Sequence, residues 1–380
     1  MEFASLLTVP IWTFVTYVIP FLLLLTVIVF IHELGHFKVA RWCGVGIDTF
    51  AVGFGRELFG WTDKHGTRWK LGWIPLGGYV KFQDDANAAS LSGGEGVDEE
   101  RGLDPSKSFH GKPVAQRAAV VAAGPIANFL LAILIFALTY TLVGVPIAQP
   151  IVDEVKPGSA AEIAGILPDD KIVAIDGVEM KSFSDMQRLV SESAGIELTL
   201  YVLRNGAELQ LKATPQTAEI DDGAGGKMRL GLLGITRNVS KDLYYDKKGP
   251  VEAVGLAVGE TWYIVRRSLS YVKNMIVGKE STDQLAGPIR IAQISGVAAS
   301  VSVNALVQLG ALLSVSIGLI NLFPIPMLDG GHLLYYLVEA VRGKPLGQRA
   351  QEMGFKVGFA LVMMLMVVAT WNDIVRLISS

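Results

Sequence analysis

The chain has 380 residues, of which 51% are hydrophobic and 18% charged, and its 33 Lys and Arg against 36 Asp and Glu leave a net charge of −3. Soluble domains carry about 25% charged residues, so this composition, with a mean hydropathy of +0.42, indicates a membrane protein. The near-neutral charge gives no footprint for nucleic acid, and the single cysteine, Cys43, excludes an intrachain disulfide or a multi-cysteine metal site.

Residues 1–42 read as a first transmembrane helix. Its apolar run, roughly Trp12 to Ile31, is too long for a signal peptide and has no basic segment before it. Residues 43–116 form a polar loop. A second apolar run, roughly Ala118 to Val143, makes 117–145 a second span. A third, roughly Val301 to Phe323, begins a segment at 301–332. The fourth, Val357 to Trp371, is short and lies within 333–380, after a polar loop. Lys38, Arg41, Arg56, Lys64, Arg68, Lys70 and Lys81 follow the first span, Arg117 precedes the second, and Arg342, Lys344, Arg349 and Lys356 separate the third from the fourth. Basic loops belong in the cytoplasm, so both termini, and the segment between spans two and three, are expected outside.

Within 146–238 the pattern is that of a soluble α+β domain. Ile151 to Val155 is strand-like, a short helix fits Ala160 to Ala164, and "KIVAI" is a β-branched strand followed by the Asp176-Gly177 turn. Ser182 to Leu189 reads as a helix with Ser182 or Ser184 as N-cap. "IELTLYVLRNGAELQLKA" is a hairpin with a type I′ turn at Asn205-Gly206. The order of elements, and "AEIAGILPDDKIVAIDG" in particular, resembles a PDZ domain of the bacterial periplasmic type. That resemblance implies capture of an extended peptide by strand addition; the alternative is a domain that only packs. "TAEIDDGAGGKMRLGLLGI" reads as a polar, glycine-rich link into a short strand. Residues 239–300 include an amphipathic stretch, Lys247 to Val277, too charged to span and suited to the membrane surface.

The chemistry concentrates at the end of the first span, where His32-Glu33-Leu34-Gly35-His36 forms HExxH. On a helix, residues four apart share a face, so both imidazoles can reach one Zn²⁺ while Glu33 takes a proton from water. Ionisable groups at membrane depth normally mark function. Catalytic zinc uses three protein ligands and an open position. His65 and His110 lie in polar contexts typical of solvated histidines. The stronger third candidate is Asp329 in "INLFPIPMLDGGH", where Pro324 and Pro326 break the helix and Gly330 and Gly331 admit close backbone approach. His332 competes on ligand chemistry.

HExxH closing the first span, "NLFPIPMLDGG" at the third, and the PDZ-like insert together resemble the site-2 protease family, most closely the bacterial branch that cleaves anti-sigma factors (the regulator of sigma-E protease type). The resemblance covers nearly the whole chain. It implies that His32, His36 and Asp329 bind zinc, that Glu33 is the catalytic base, and that His332 is a neighbour. "AAGPIANFLLA" resembles the family's Gly-x-x-x-Asn pattern, here Gly124 and Asn128. Asn128 and Asn321 are candidates for holding the substrate backbone or the developing oxyanion, with Pro324 and Pro326 beside them; helix–helix contact is the alternative for Asn128. "GFGRELFGW" and "TRWKLGWIPLGGYVKF" resemble the family's membrane-associated β-hairpin, in which Tyr79, Val80 and Phe82 alternate as in a strand. Some members have two PDZ copies; this chain has one.

The expected fold class is therefore a polytopic α-helical membrane protein with about four transmembrane helices, a membrane-associated β-hairpin region and one inserted PDZ-like α+β domain. The expected partners are the lipid bilayer of the bacterial inner membrane and a single-pass membrane protein, such as a pre-trimmed anti-sigma factor. The expected reaction is zinc-dependent hydrolysis of a peptide bond in or near that protein's span, close to the cytoplasmic face. The rival readings are a metal-ion transporter and an inactive PDZ membrane scaffold.

Overall fold

A computed structural model describes residues 12, 14–83, 105–221, 227–237, 243–278 and 286–379. The chain forms two compact units: one of Met1–Ala137, Val254–Val272 and Ser281–Ser380, the other of Leu138–Ala253 and Lys273–Glu280. In chain order come helix α1 (Ile19–Trp42), strands β1 (Ile47–Thr62) and β2 (Arg68–Phe82), and helix α2 (Val114–Leu142). The second unit supplies β3 (Val145–Ala148), β4 (Glu154–Val155), α3 (Ala160–Ile163), β5 (Lys171–Ile175), β6 (Val178–Glu179) and α4 (Phe183–Glu192). It continues through β7 (Leu198–Arg204), β8 (Ala207–Ala213), β9 (Gln216–Asp221), β10 (Lys227–Leu232), β11 (Ile235–Thr236) and β12 (Leu243–Asp246). Helices α5 (Pro250–Ile276), most of it in the first unit, and α6 (Pro288–Val301), α7 (Val303–Asn321), α8 (Asp329–Arg342) and α9 (Gln348–Ser379), all in the first unit, complete the chain.

Among the described residues, four helices are long and apolar enough to cross a membrane: Phe14–Trp42, which starts in a π-helical turn, Val114–Leu142, Val303–Asn321 and Gln348–Val375. Their outer faces are greasy. Leu130, Leu134, Leu138 and Leu142 form one exposed stripe at four-residue spacing on α2. That stripe suits lipid, because helical neighbours four apart share a face. The first helix runs on to Trp42, so the whole of HExxH is helical.

The helix break expected at Pro324 and Pro326 is present: α7 ends at Asn321, residues 322–328 form an irregular link, and Asp329 opens α8. Proline lacks an amide donor and disfavours helix before it, so Pro324 and Pro326 separate two helices rather than kink one. The loop expected after residue 332 is helical through Arg342, and α9 begins at Gln348, well before its apolar run. The apolar core of α9 is short, but its polar flanks lengthen the helix to 28 residues within the span limits.

Strands β1 and β2 pair antiparallel with repeated register shifts. Gly53 (φ 83°) and Gly72 face each other so closely that a Cβ on Gly72 would overlap the backbone of Gly53. Phe50 packs between Phe37 of α1, with ring centroids 5.3 Å apart, and Trp69 of β2, at 4.3 Å. The turn is tied to the end of α1 by Asp63, which accepts from Arg41 (2.7 Å), Trp69 Nε1 (3.2 Å) and the backbone N–H groups of His65 and Thr67. Burial opposes ionisation of Asp63, but these donors outweigh it and hold the carboxyl below its ordinary range.

The second unit has a four-stranded sheet in the order β6-β5-β7-β8, all antiparallel. Both hairpin turns have left-handed residues where the dipeptides require them: Asp176-Gly177 and Asn205-Gly206. Ser159 caps α3 and Ser182 caps α4 through their side-chain oxygens. Val152, Ile172, Ile175, Met186, Leu200 and Val202 fill the core. The glycine-rich link reads differently in three dimensions. Gln216–Asp221 and Lys227–Leu232 pair antiparallel, and Ile235 and Thr236 of β11 pair back to β4; residues 222–226 of the link lie outside the described residues.

Candidate active site

Four helices (α1, α2, α7 and α8), strand β2 and the link before α8 converge on one cavity of about 450 Å³. Helix α1 contributes His32, Glu33 and His36, β2 contributes Gly78, Tyr79 and Val80, and Asn321, Met327, Asp329 and His332 line it from the other side. The helical period of α1 sets the two imidazoles one turn apart, with Nε2 atoms 3.2 Å apart. Asp329 completes the group: its Oδ2 lies 3.1 Å from His32 Nε2 and its Oδ1 3.6 Å from His36 Nε2. One ligand atom from each of the three residues falls within 4.8 Å of the others.

Several features hold this triangle. Asp329 begins α8, where an acid is favoured by the exposed amides of the first turn. Gly330 and Gly331 pack against the carbonyls of Leu322, Phe323 and Ile325, and a Cβ on either would overlap them. Met327, two residues earlier, has φ 144°, which a side-chain-bearing residue rarely adopts. Further along α8, Glu339 accepts from Arg117 of α2 at 2.7 Å, and the Arg117 guanidinium lies 4.9 Å from the Tyr336 ring. This largely buried pair clamps α8 to α2. On α2, Gly124 leaves room for both imidazoles. On β2, Val80 lines the cavity with Glu33, and Gly78 is bare where a Cβ would crowd the Glu33 side chain.

A divalent cation fits these residues. Two imidazole nitrogens and a carboxylate are a donor set used by catalytic zinc, with an open fourth position. Asp329 Oδ2 is buried and accepts no hydrogen bond among the described residues, an orphaned acceptor that a cation would satisfy.

The other sequence candidates fall in different places. Asn321 lines the cavity; Pro324 and Pro326 lie in the link, outside the lining. Asn128 is fully buried, also outside the lining, with Nδ2 3.3 Å from His32 Nδ1. His332 lines the cavity but lies outside the three-residue group. His110, read as an ordinary solvated histidine, is exposed yet lines the same cavity, together with Phe109. Sequence reasoning passed over the Arg117–Glu339 clamp, because two residues 222 positions apart give no local signal.

A membrane-spanning helical protein with a His, His, Asp cluster beside a glutamate belongs to the class of membrane metallopeptidases. The chain matches the sequence profile of peptidase family M50 over residues 20–365. It is 48% identical to a protein of Agrobacterium fabrum over 95% of this chain and 96% of the relative, and 50% identical to one of Rhizobium meliloti over 94% and 96%; both carry zinc metalloprotease in their names. It is 37% identical to Metalloprotease MmpA of Caulobacter vibrioides over 96% of each chain. The chain belongs to peptidase family M50, the site-2 protease family, and is a zinc-dependent metalloprotease.

Proposed function

We propose that this protease hydrolyses a peptide bond in or near the transmembrane segment of a single-pass membrane protein, such as a pre-trimmed anti-sigma factor, in regulated intramembrane proteolysis. His32, His36 and Asp329 are the zinc ligands, and the observation that carries the reading is their convergence within 4.8 Å beside Glu33 in one cavity. Zinc bound there supplies Lewis-acid polarisation of the scissile carbonyl and acidifies water. Glu33 takes the proton from the attacking water and passes it to the leaving amine. The buried donors on α1 and the link before α8 keep the group rigid, so little reorganisation accompanies reaction.

A peptide bond in a helix has its amide and carbonyl already paired, so the substrate must unwind. The link at residues 322–328 is irregular backbone beside a polar cavity, the setting in which such backbone is tolerated at membrane depth. Asn321 contacts the unwound substrate from the cavity wall, and Pro324 and Pro326 keep the link from becoming helical. Gly78, Tyr79 and Val80 of β2 give an edge along which an extended segment adds as a strand. The enzyme sits in the inner membrane with both termini and the inserted unit extracytoplasmic. The inserted unit acts as a PDZ-like filter, with a groove of about 300 Å³ between α4 and residues 231–235 for an extended chain end.

The test is incubation of purified enzyme with single-span proteins bearing full or trimmed extracytoplasmic parts, followed by mass spectrometry of the products. Products cut within the span, absent with a chelator, are expected. Cleavage confined to soluble unfolded chains would overturn the reading.

A further inference from the structure

Helix α2 presents three residues to the two histidines at four-residue spacing: Val120, Gly124 and Asn128. Residues so spaced lie on one helix face. The carbonyl of Val120 is 2.9 Å from His36 Nδ1. A carbonyl can only accept, so this fixes the His36 proton on Nδ1 and leaves the Nε2 lone pair facing Asp329. Pro125 interrupts the hydrogen-bond ladder of α2 just beyond this point. Gly124 provides the space in which both rings lie.

The counterpart for His32 is Asn128. Its amide nitrogen is placed 3.3 Å from His32 Nδ1, while its Oδ1 is buried with no hydrogen-bond partner among the described residues. The two ends of an amide are interchangeable in shape and are assigned by their partners. With Nδ2 towards the ring, His32 would carry its proton on Nε2, the atom that faces Asp329 and His36. With Oδ1 towards the ring, the amide still makes one hydrogen bond and the proton sits on Nδ1. Only the second arrangement leaves both Nε2 lone pairs directed at the same point.

We infer that Asn128 is a positioning residue for the metal site: its Oδ1 accepts the Nδ1 proton of His32 and fixes the tautomer and ring orientation that zinc requires. The assignment rests on His32, His36 and Asp329 holding zinc. It places Asn128 behind the histidine, away from the substrate. Ser314 of α7 donates to the Asn128 backbone carbonyl at 2.8 Å, and Gly318 lies close against the Asn128 Cβ, so α7 walls the residue off. The two histidines are therefore held differently, one by a main-chain carbonyl and one by a replaceable side chain. Outer partners of this kind typically govern metal affinity by about 10–100-fold.

The experiment measures zinc affinity by chelator competition on the full-length protein in detergent, in a Glu33→Gln background so that no proteolysis is read. Asn128→Leu, which keeps the γ-branch but has no acceptor, is expected to weaken zinc by about 10–100-fold. Asn128→Asp, which can still accept from Nδ1, is expected to stay near the parent affinity. Ser314→Ala, which removes only the backbone tie, is expected to leave it unchanged. Asn128→Ala replaces the leucine variant if that one is not monodisperse. Parent-like zinc binding in Asn128→Leu or Asn128→Ala, or a loss in Asn128→Asp equal to theirs, would overturn the inference. A parent protein whose zinc is unaffected by His32→Ala would instead refute the ligand assignment beneath it.

Discussion

In the inserted unit, Val152, Ile172, Leu200 and Val202 are buried, while Glu162, Glu179, Glu192 and Glu208 face outward. In the helical unit the order is reversed at many positions. Leu130, Leu134, Met364 and Val367 face outward, while His32, Asn128, Ser295 and Ser314 are buried. One rule explains both, namely that a surface matches its solvent. Water rewards an apolar interior, whereas hydrocarbon around the spans removes that reward and leaves packing and hydrogen bonds to join helices. The contact residues differ accordingly. Gly35 faces Ala123 and Gly296 faces Tyr17 so closely that side chains there would overlap, and Gly318 packs tightly on Pro125 and Asn128. The helical unit can therefore spend its interior on a polar site. The inserted unit spends its interior on stability.

This contrast can be broken from either side. The largest effect is expected at the base. Glu33→Gln keeps every donor to the metal, so zinc should remain while cleavage falls by about 10²–10⁴-fold; substantial turnover by mass spectrometry would remove Glu33 from its role. Next comes the third ligand. Asp329→Asn should lose most of the zinc along with activity, while His332→Ala should keep the metal. The reverse pattern in metal analysis would move the ligand to His332.

On the other side of the comparison stands Asp170, fully buried in the inserted unit. Burial opposes its ionised form, but Arg204 and the Leu167 amide donate to it and hold its carboxyl below the ordinary range. Arg204→Ala should destabilise the inserted unit, because it leaves the buried Asp170 carboxylate without its main donor, yet leave zinc in place. Hydrogen exchange in β5 and β7 measures the first and metal analysis the second. The pH dependence follows from the same carboxyl. A depressed pKa contributes stability fully present above the unfolded value of about 3.9 and lost as pH falls through the folded value. Protection of β5 should therefore drop on acidification below about pH 4, and drop less in Asp170→Asn.

The smallest effect on chemistry is expected from removing the inserted unit. The pairing of β11 with β4 shows that a clean excision must reach beyond the β7–β8 hairpin, from Ile151 through Thr236. With a flexible linker and zinc retained, cleavage of a trimmed substrate should be largely intact and cleavage of the untrimmed form should rise. Complete loss on the trimmed substrate would make the unit obligatory rather than a filter.

Local chemistry was enough to find four apolar helices, the HExxH pair on one helix face, both turns in the inserted unit, and the α4 cap to within Ser182 or Ser184. Each depends on residues within a few positions of one another, through helical period, turn geometry or a capping hydroxyl. The same sequence marked Asp329 as an acid stranded after an apolar run. Tertiary structure decided what those residues face. It turned a glycine-rich link into paired strands and brought His110 to the cavity. It also clamped α8 to α2 through Arg117 and Glu339, and set Asn128 behind His32, 96 positions away. Such contacts depend on which helix faces meet and how closely glycines let them approach, and no short stretch of sequence carries that information.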